Sequence, residues 1–205
     1  MRFFRGPFQI IRANLRAYLV LNAIVYGLCL IGMGVGLLFP GLTAAHGTAL
    51  HQDGTADLVG RVVGNVWLFS LTIFLVNTLT VGVLRILLPS MIVPFAGIAV
   101  YAYWAFNTGV TLAPVNATMA KTMIPHSLTA IIEFQAYALL MLGAYLLGRS
   151  WLRPASVGAH DRRQGYVHGL RQFGRLTLPA LVLFVIGAVY EAFEVIYLVP
   201  PLVAG

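Results

Sequence analysis

Three carboxylates in this sequence fall within runs that are otherwise apolar: Glu133, Glu191 and Glu194. In hydrocarbon an ionisable side chain is costly, so it either stays protonated, finds a partner or serves a function. Two further polar residues belong with them by spacing. His126 precedes Glu133 by seven residues, two turns along one helical face, and Asn107 closes an earlier apolar run. At about 1.5 Å per residue, Glu133 lies ~10 Å into its run, Glu191 ~12 Å from the end of its own, and Asn107 ~7 Å from the same face. Asn107, His126, Glu133 and Glu191 are therefore expected to meet as one polar cluster beneath the outer membrane surface. Arg61 and Lys121 are further candidate partners for a carboxylate there, and Glu194 is expected closer to surface water. Such a cluster suits hydrogen bonding between helices, a ligand or partner site, or a proton-coupled step, and the residues alone leave these open.

Motifs that would make the chain an enzyme are missing. There is no HExxH, P-loop or GxSxG sequence, no Cys/His metal spacing, and no Gly-Ser nucleophile or paired intramembrane aspartates. The expectation is a non-enzyme without cofactor or metal. His46, His51, Asp53 and Asp57 share a polar stretch that reads as a solvated loop rather than a metal site. The lone Cys29, inside an apolar run, excludes an internal disulfide framework and reads as a small packed residue.

The elements that must position these residues follow from composition. Of 205 residues 60% are hydrophobic and 9% charged, with a mean hydropathy of +0.87, which excludes an ordinary soluble domain and a disordered chain. A hydrocarbon core ~30 Å thick needs ~20 apolar residues per helix. Spans are predicted at about 18–39, 62–84, 91–112, 126–147 and 176–199, within a single membrane domain over 1–205. Pro40-Gly41, Pro125 and Pro200-Pro201 punctuate them, and the second and third turn around Arg85 to Ser90. The first run is too long for a signal-peptide core, so it reads as a retained helix although Thr43-Ala44-Ala45 faintly resembles a cleavage site. The predicted fold is an all-α, polytopic membrane helix bundle of about five transmembrane helices plus an N-terminal interfacial helix.

Net charge is +7, from 13 Lys+Arg against 6 Asp+Glu. On this topology eleven of the basic residues fall on one side: Arg2, Arg5, Arg12 and Arg16 before the first span, Arg85 in the turn, and six arginines over 149–175. The positive-inside rule then makes the N-terminus cytoplasmic and the C-terminus external, in the cell membrane. Topology absorbs the basic excess, so nucleic acid is not an implied partner. Arg5, Gln9, Arg12 and Arg16 form one stripe of a helix over about 5–17, beside apolar Phe8, Ile11 and Leu15. That pattern fits an interfacial helix on anionic lipid headgroups, or a cytoplasmic extension of the first span. Arg162 and Arg163, in the 149–175 segment, are further candidates for lipid or partner contact. Small residues recur four apart at Gly32/Gly36, Gly60/Gly64 and Ala144/Gly148, and Asn22 and Asn77 fit hydrogen bonds between helices. Asn116-Ala117-Thr118 matches a glycosylation sequon.

With these residues in view the chain resembles the stage II sporulation protein M family of multi-pass membrane proteins. Phe74 to Asn77 is similar to the Asn-bearing end of that family's second helix, and Gly97 through Asn107-Thr108-Gly109 to its Asn-Gly-type helix end. Ile124-Pro125-His126-Ser127, Ile132-Glu133 and Gly143/Gly148 resemble its Pro-His-Gly…Glu…Gly signature, with Ser127 in place of the glycine and Thr78 in place of a second Asn. Ala188 to Phe193 resembles its closing Ala-x-x-Glu-Ala-Phe element. The resemblance implies a scaffold or assembly subunit of a membrane complex with cell-wall hydrolases among its partners and self-association open, while some members of the family are associated with ABC-type systems, where the partner would be an ATPase. The competing expectation, from the buried carboxylates and the basic 149–175 segment, is a permease-like subunit of an ABC-type or proton-coupled transporter.

Overall fold

The computed structural model describes residues 5–52 and 54–204 and, except at positions 50, 51 and 55, their side chains. Arg2, Asp53 and the His51 side chain lie outside the described residues. The described chain is helical throughout, and four helices are long and apolar enough to cross a membrane: Leu15–Leu38, Val66–Ile92, Ala117–Leu152 and Arg162–Ala204.

A short helix α1 (Arg5–Ala13) leads to α2 (Leu15–Leu38), with Asn14 between them. The helix read from sequence over 5–17 is thus divided, and Arg16 belongs to α2. Proline opens α3 (Pro40–Gln52), and α4 (Thr55–Val62) follows. The polar stretch expected as a loop is therefore mostly helical. Proline at a first helical position gives up an N–H that would have had no partner anyway.

The second long helix is composite. Asn65 caps α5 (Val66–Leu75), accepting from the N–H groups of Trp67 at 3.0 Å and Leu68 at 3.1 Å. A π-helical segment, π1 (Val76–Leu87), continues it, and α6 (Leu88–Ile92) ends it. The turn expected around Arg85 to Ser90 lies instead after Ile92, where Phe95 has φ 67°. Proline ordinarily breaks a helix because its ring meets the carbonyl four residues earlier and its N–H is missing. Here the wider π winding ends just before Pro89, which then sits in the first turn of a regular helix. Arg85 consequently lies within the helix and not in a loop.

Helix α7 (Ala96–Thr111) runs alongside α2, and Gly32, Gly36 and Gly109 lie in the seam. The last two elements form a long antiparallel hairpin. Helix α8 (Ala117–Leu152) starts nine residues earlier than expected, capped by Asn116, which accepts from Met119 N–H at 2.8 Å. Pro125 falls inside it instead of opening it, tolerated because tertiary packing of a membrane helix offsets one lost backbone bond. Helix α9 (Arg162–Phe193) passes into a second π segment, π2 (Glu194–Leu198), and α10 (Val199–Ala204). Pro200-Pro201 therefore do not close the helix. They occupy the first turn of α10, where they forfeit little. At about 1.5 Å per residue α8 is ~54 Å long, well beyond one hydrocarbon crossing.

The core lies where α8 meets its neighbours. Tyr101, Tyr137, Met141, Leu142, Leu147, Leu176 and Phe184 are fully buried there. Aromatic rings stack through it, with Tyr137 centred 5.0 Å from Tyr101 and 4.9 Å from Phe184.

Candidate functional site

Successive turns of α8 present His126, Thr129, Glu133 and Tyr137 on one stripe, as spacings of three and four residues require. Helix α9 and its π continuation set Gly187, Glu191 and Glu194 against that stripe. A Cβ at Gly187 would stand 3.0 Å from Glu133 Cγ, so any larger residue there would press on the Glu133 side chain and shift it. The third wall is π1, which supplies Asn77.

Polar atoms are linked along the seam. The Glu194 side chain is 0% exposed; Thr129 Oγ1 donates to its Oε2 at 2.5 Å, and His126 Nδ1 stands 3.2 Å from its Oε1. It is the single contact within 4 Å between a basic side chain and a carboxylate among the described residues. Deeper in the bundle Asn77 Nδ2 donates to Glu133 Oε1, and Tyr137 Oη donates to Asn77 Oδ1 at 2.9 Å. The tyrosine thereby fixes which way the Asn77 amide points. Glu191 faces Glu133 from α9. From His126 to Tyr137 the column extends ~16 Å along the helix axis. Its bonds between helices can hold them in register. Both π segments start at a member of the site or next to one, Asn77 and Glu194, and π turns often occur at functional positions.

Of the four residues expected together, His126 and Glu133 lie on one stripe of α8 and Glu191 faces it from α9. Asn107 is not with them: its side chain is half-buried and its Nδ2 donates at 2.7 Å to Tyr103 O on its own helix. Glu194, expected near surface water, is the most buried of the three carboxylates, because π2 turns it into the seam with α8, where Thr129 and His126 bond it. Neither Arg61 nor Lys121 pairs with a carboxylate among the described residues. Arg85, read as a loop charge, lies instead inside the helix with its guanidinium 5.9 Å from the centre of the Trp104 ring.

A second polar network lies on another face of α8. Gln135 accepts from Tyr18 Oη at 2.6 Å and donates to Asn22 Oδ1 and Tyr26 Oη, each at 2.8 Å, joining α2 to α8. Asn22 is visible in the sequence as a residue of this kind. Gln135 is not, since an amide inside a run gives no sign of its partner. His46 bonds Thr111 Oγ1 at 3.1 Å, and among the described residues no three His, Cys, Asp or Glu side chains gather as a metal site. Compared with models of protein families, with curated proteins and with solved structures, the chain gives no match.

Proposed function

We propose that this chain is a non-catalytic, multi-pass protein of the cell membrane that serves as a scaffold or assembly subunit of a membrane complex, as its resemblance to the stage II sporulation protein M family implies. In this reading it crosses five times, with α7 as the fifth span, the N-terminus cytoplasmic and the C-terminus outside. Two contacts support the five-fold alternation. Arg149 Nη1 donates to Asn14 Oδ1 at 3.3 Å, and the Phe95 ring packs on Gly148, so three connections share one end of the bundle. Helix α1 lies at that end, as an interfacial helix on anionic lipid would.

The observation that carries the scaffold reading is that the intramembrane polar groups bond one another across helices. Thr129, His126 and Glu194 join α8 to π2, Asn77 and Glu133 join π1 to α8, and Gln135 joins α2 to α8. Such networks favour one fixed arrangement, as a platform for other subunits requires. Affinity purification of the full chain from native membranes is expected to recover other membrane-complex subunits or cell-wall hydrolases. Recovery of a stoichiometric ATPase would overturn the scaffold in favour of a transport subunit.

One observation favours a second reading, a proton-coupled transporter. Glu133 faces Glu191 with no lysine or arginine bonded to either, the kind of carboxyl pair a proton-coupled step uses. Liposomes containing the protein and a trapped pH dye test it. Proton flux lost in both Glu133→Gln and Glu191→Gln establishes this reading, and no flux in the parent protein ends it.

A further inference from the structure

A cleft of about 630 Å³ opens at the α1–α2 junction, between the first turns of α2 and the facing sides of α7 and α8. Its two ends differ in chemistry. One end holds Arg16, Arg149 and Asn14, with Tyr145 beside them. The other is walled by Val20, Ile24 and Ile98. A second cleft, of about 450 Å³, shares Tyr145 and Arg149 and adds Arg153.

Neither Arg16, Arg149 nor Arg153 pairs with a carboxylate among the described residues. The Arg149 guanidinium meets only a neutral amide, Asn14 Oδ1. Asn14, at the head of α2, makes no side-chain cap, since its Oδ1 faces Arg149 and its Nδ2 donates at 2.9 Å to Ile10 O. The N–H groups of the first turn of α2 are thus left for another acceptor, and a helix N-terminus favours an anion. The polar end therefore lacks negative charge and acceptor oxygens, and the apolar end lacks hydrocarbon contact. One molecule that supplies both is a phospholipid with an anionic headgroup.

We propose that this cleft is a binding site for an anionic glycerophospholipid. Arg149 and Arg16 hold its phosphate, Arg153 reaches the rest of the headgroup, Tyr145 closes the polar end, and an acyl chain lies along Val20, Ile24 and Ile98. The site is separate from the Glu133–Glu191 column. It rests on the membrane reading of the chain but on neither the scaffold nor the transport role.

The test is native mass spectrometry of the full chain in detergent, titrated with phosphatidylglycerol, phosphatidylcholine or inorganic phosphate. Extraction of the chain from the membrane fraction only by detergent checks the membrane reading separately. The expected result is one tightly held phosphatidylglycerol, preferred about tenfold or more over phosphatidylcholine, as two cationic contacts provide. The preference should vanish in Arg16→Gln/Arg149→Gln. Ile98→Trp, which fills the apolar end and keeps both arginines, should reduce binding of either lipid. Arg171→Gln/Arg175→Gln, exposed and away from the cleft lining, should change nothing. Equal binding of both lipids by the parent protein overturns the site. So does an equal loss in the Arg171/Arg175 variant, which would reveal diffuse surface charge. Phosphate competing as well as the lipid would make it an anion site without an acyl arm. Should Arg16→Gln/Arg149→Gln fail to fold, Arg16→Gln alone, whose side chain is exposed, decides the headgroup contact.

Discussion

Thr129 Oγ1, 2.5 Å from Glu194 Oε2, is a hydroxyl whose removal exposes the difference between a bonded and an orphaned carboxylate. Thr129→Val keeps the side-chain shape and removes the donor to a fully buried group. It is expected to destabilise by ~1–3 kcal/mol, read as a lower melting temperature of the detergent-solubilised protein. If Glu194 is the partner, the loss is smaller on a Glu194→Leu background, and a purely additive double-mutant cycle would refute the contact. Glu133 separates hydrogen bonding from ionisation. Glu133→Gln retains an acceptor for Asn77 Nδ2 and should fold almost as the parent does. Glu133→Leu strands Asn77 and should cost ~1–3 kcal/mol in the same assay. Equal stability of the two variants would show that the Asn77 bond contributes nothing. His126, Glu133 and Glu191 were legible in the sequence because charge within an apolar run is conspicuous and depth follows from counting. Asn107 misled because equal depth says nothing of azimuth, and its amide bonds back along α7. Asn77 was visible as a bonding residue, but its partner lies 56 positions away and only the fold brings them together.

At the scale of elements, the three pairs of small residues have different fates. Gly32 and Gly36 press on α7 at Phe106 and Val110, and Gly148 meets the Phe95 ring, whereas Gly60 and Gly64 face open space. Spacing alone does not separate them, since it shows that a close approach is allowed and not whether a helix makes one. The tightest contact of the α2–α7 seam is set from the other side, by Gly109 against the Cys29 carbonyl. Gly109→Ala must push the helices apart and is expected to cost ~1–3 kcal/mol or more. Gly34→Ala, in the same helix as Cys29 but with nothing within 4 Å, should be neutral or stabilise by ~0.5–1 kcal/mol. Heating the two variants side by side and following the monodisperse fraction by size exclusion ranks them; equal losses would mean that the seam does not limit stability. Proline was the least dependable sign in this chain. Pro89, Pro125 and Pro200 all read as boundaries, yet each lies within a helix that π winding, tertiary packing or a fresh first turn accommodates.

For the molecule as a whole, moving Arg85 into a helix alters the charge argument without reversing it. Ten basic residues remain at the ends assigned to the cytoplasm, against Arg61 and Lys121 on the other side. Four apolar runs were legible because each exceeds what a soluble core needs; the run expected over 91–112 becomes α7, of only 16 residues. Their ends were not, because α8 and the α9–α10 rod continue as helix beyond any single hydrocarbon crossing and composition does not mark where lipid stops. Orientation therefore rests on charge, and a direct measurement decides it. Ala120 and His160 are both exposed, one in the first turns of α8 and the other in the connection between α8 and α9. The native Cys29 is buried and contributes little background. In intact cells a membrane-impermeant maleimide should label Ala120→Cys fully and His160→Cys only after permeabilisation. The reverse pattern inverts the topology and moves the His126 end of the polar column to the cytoplasmic side. Labelling of both sites in intact cells would mean that α8 does not cross at all. Because α8 carries His126, Thr129, Glu133 and Tyr137, that outcome would remove the column from the membrane, and with it the reason its carboxylates need one another.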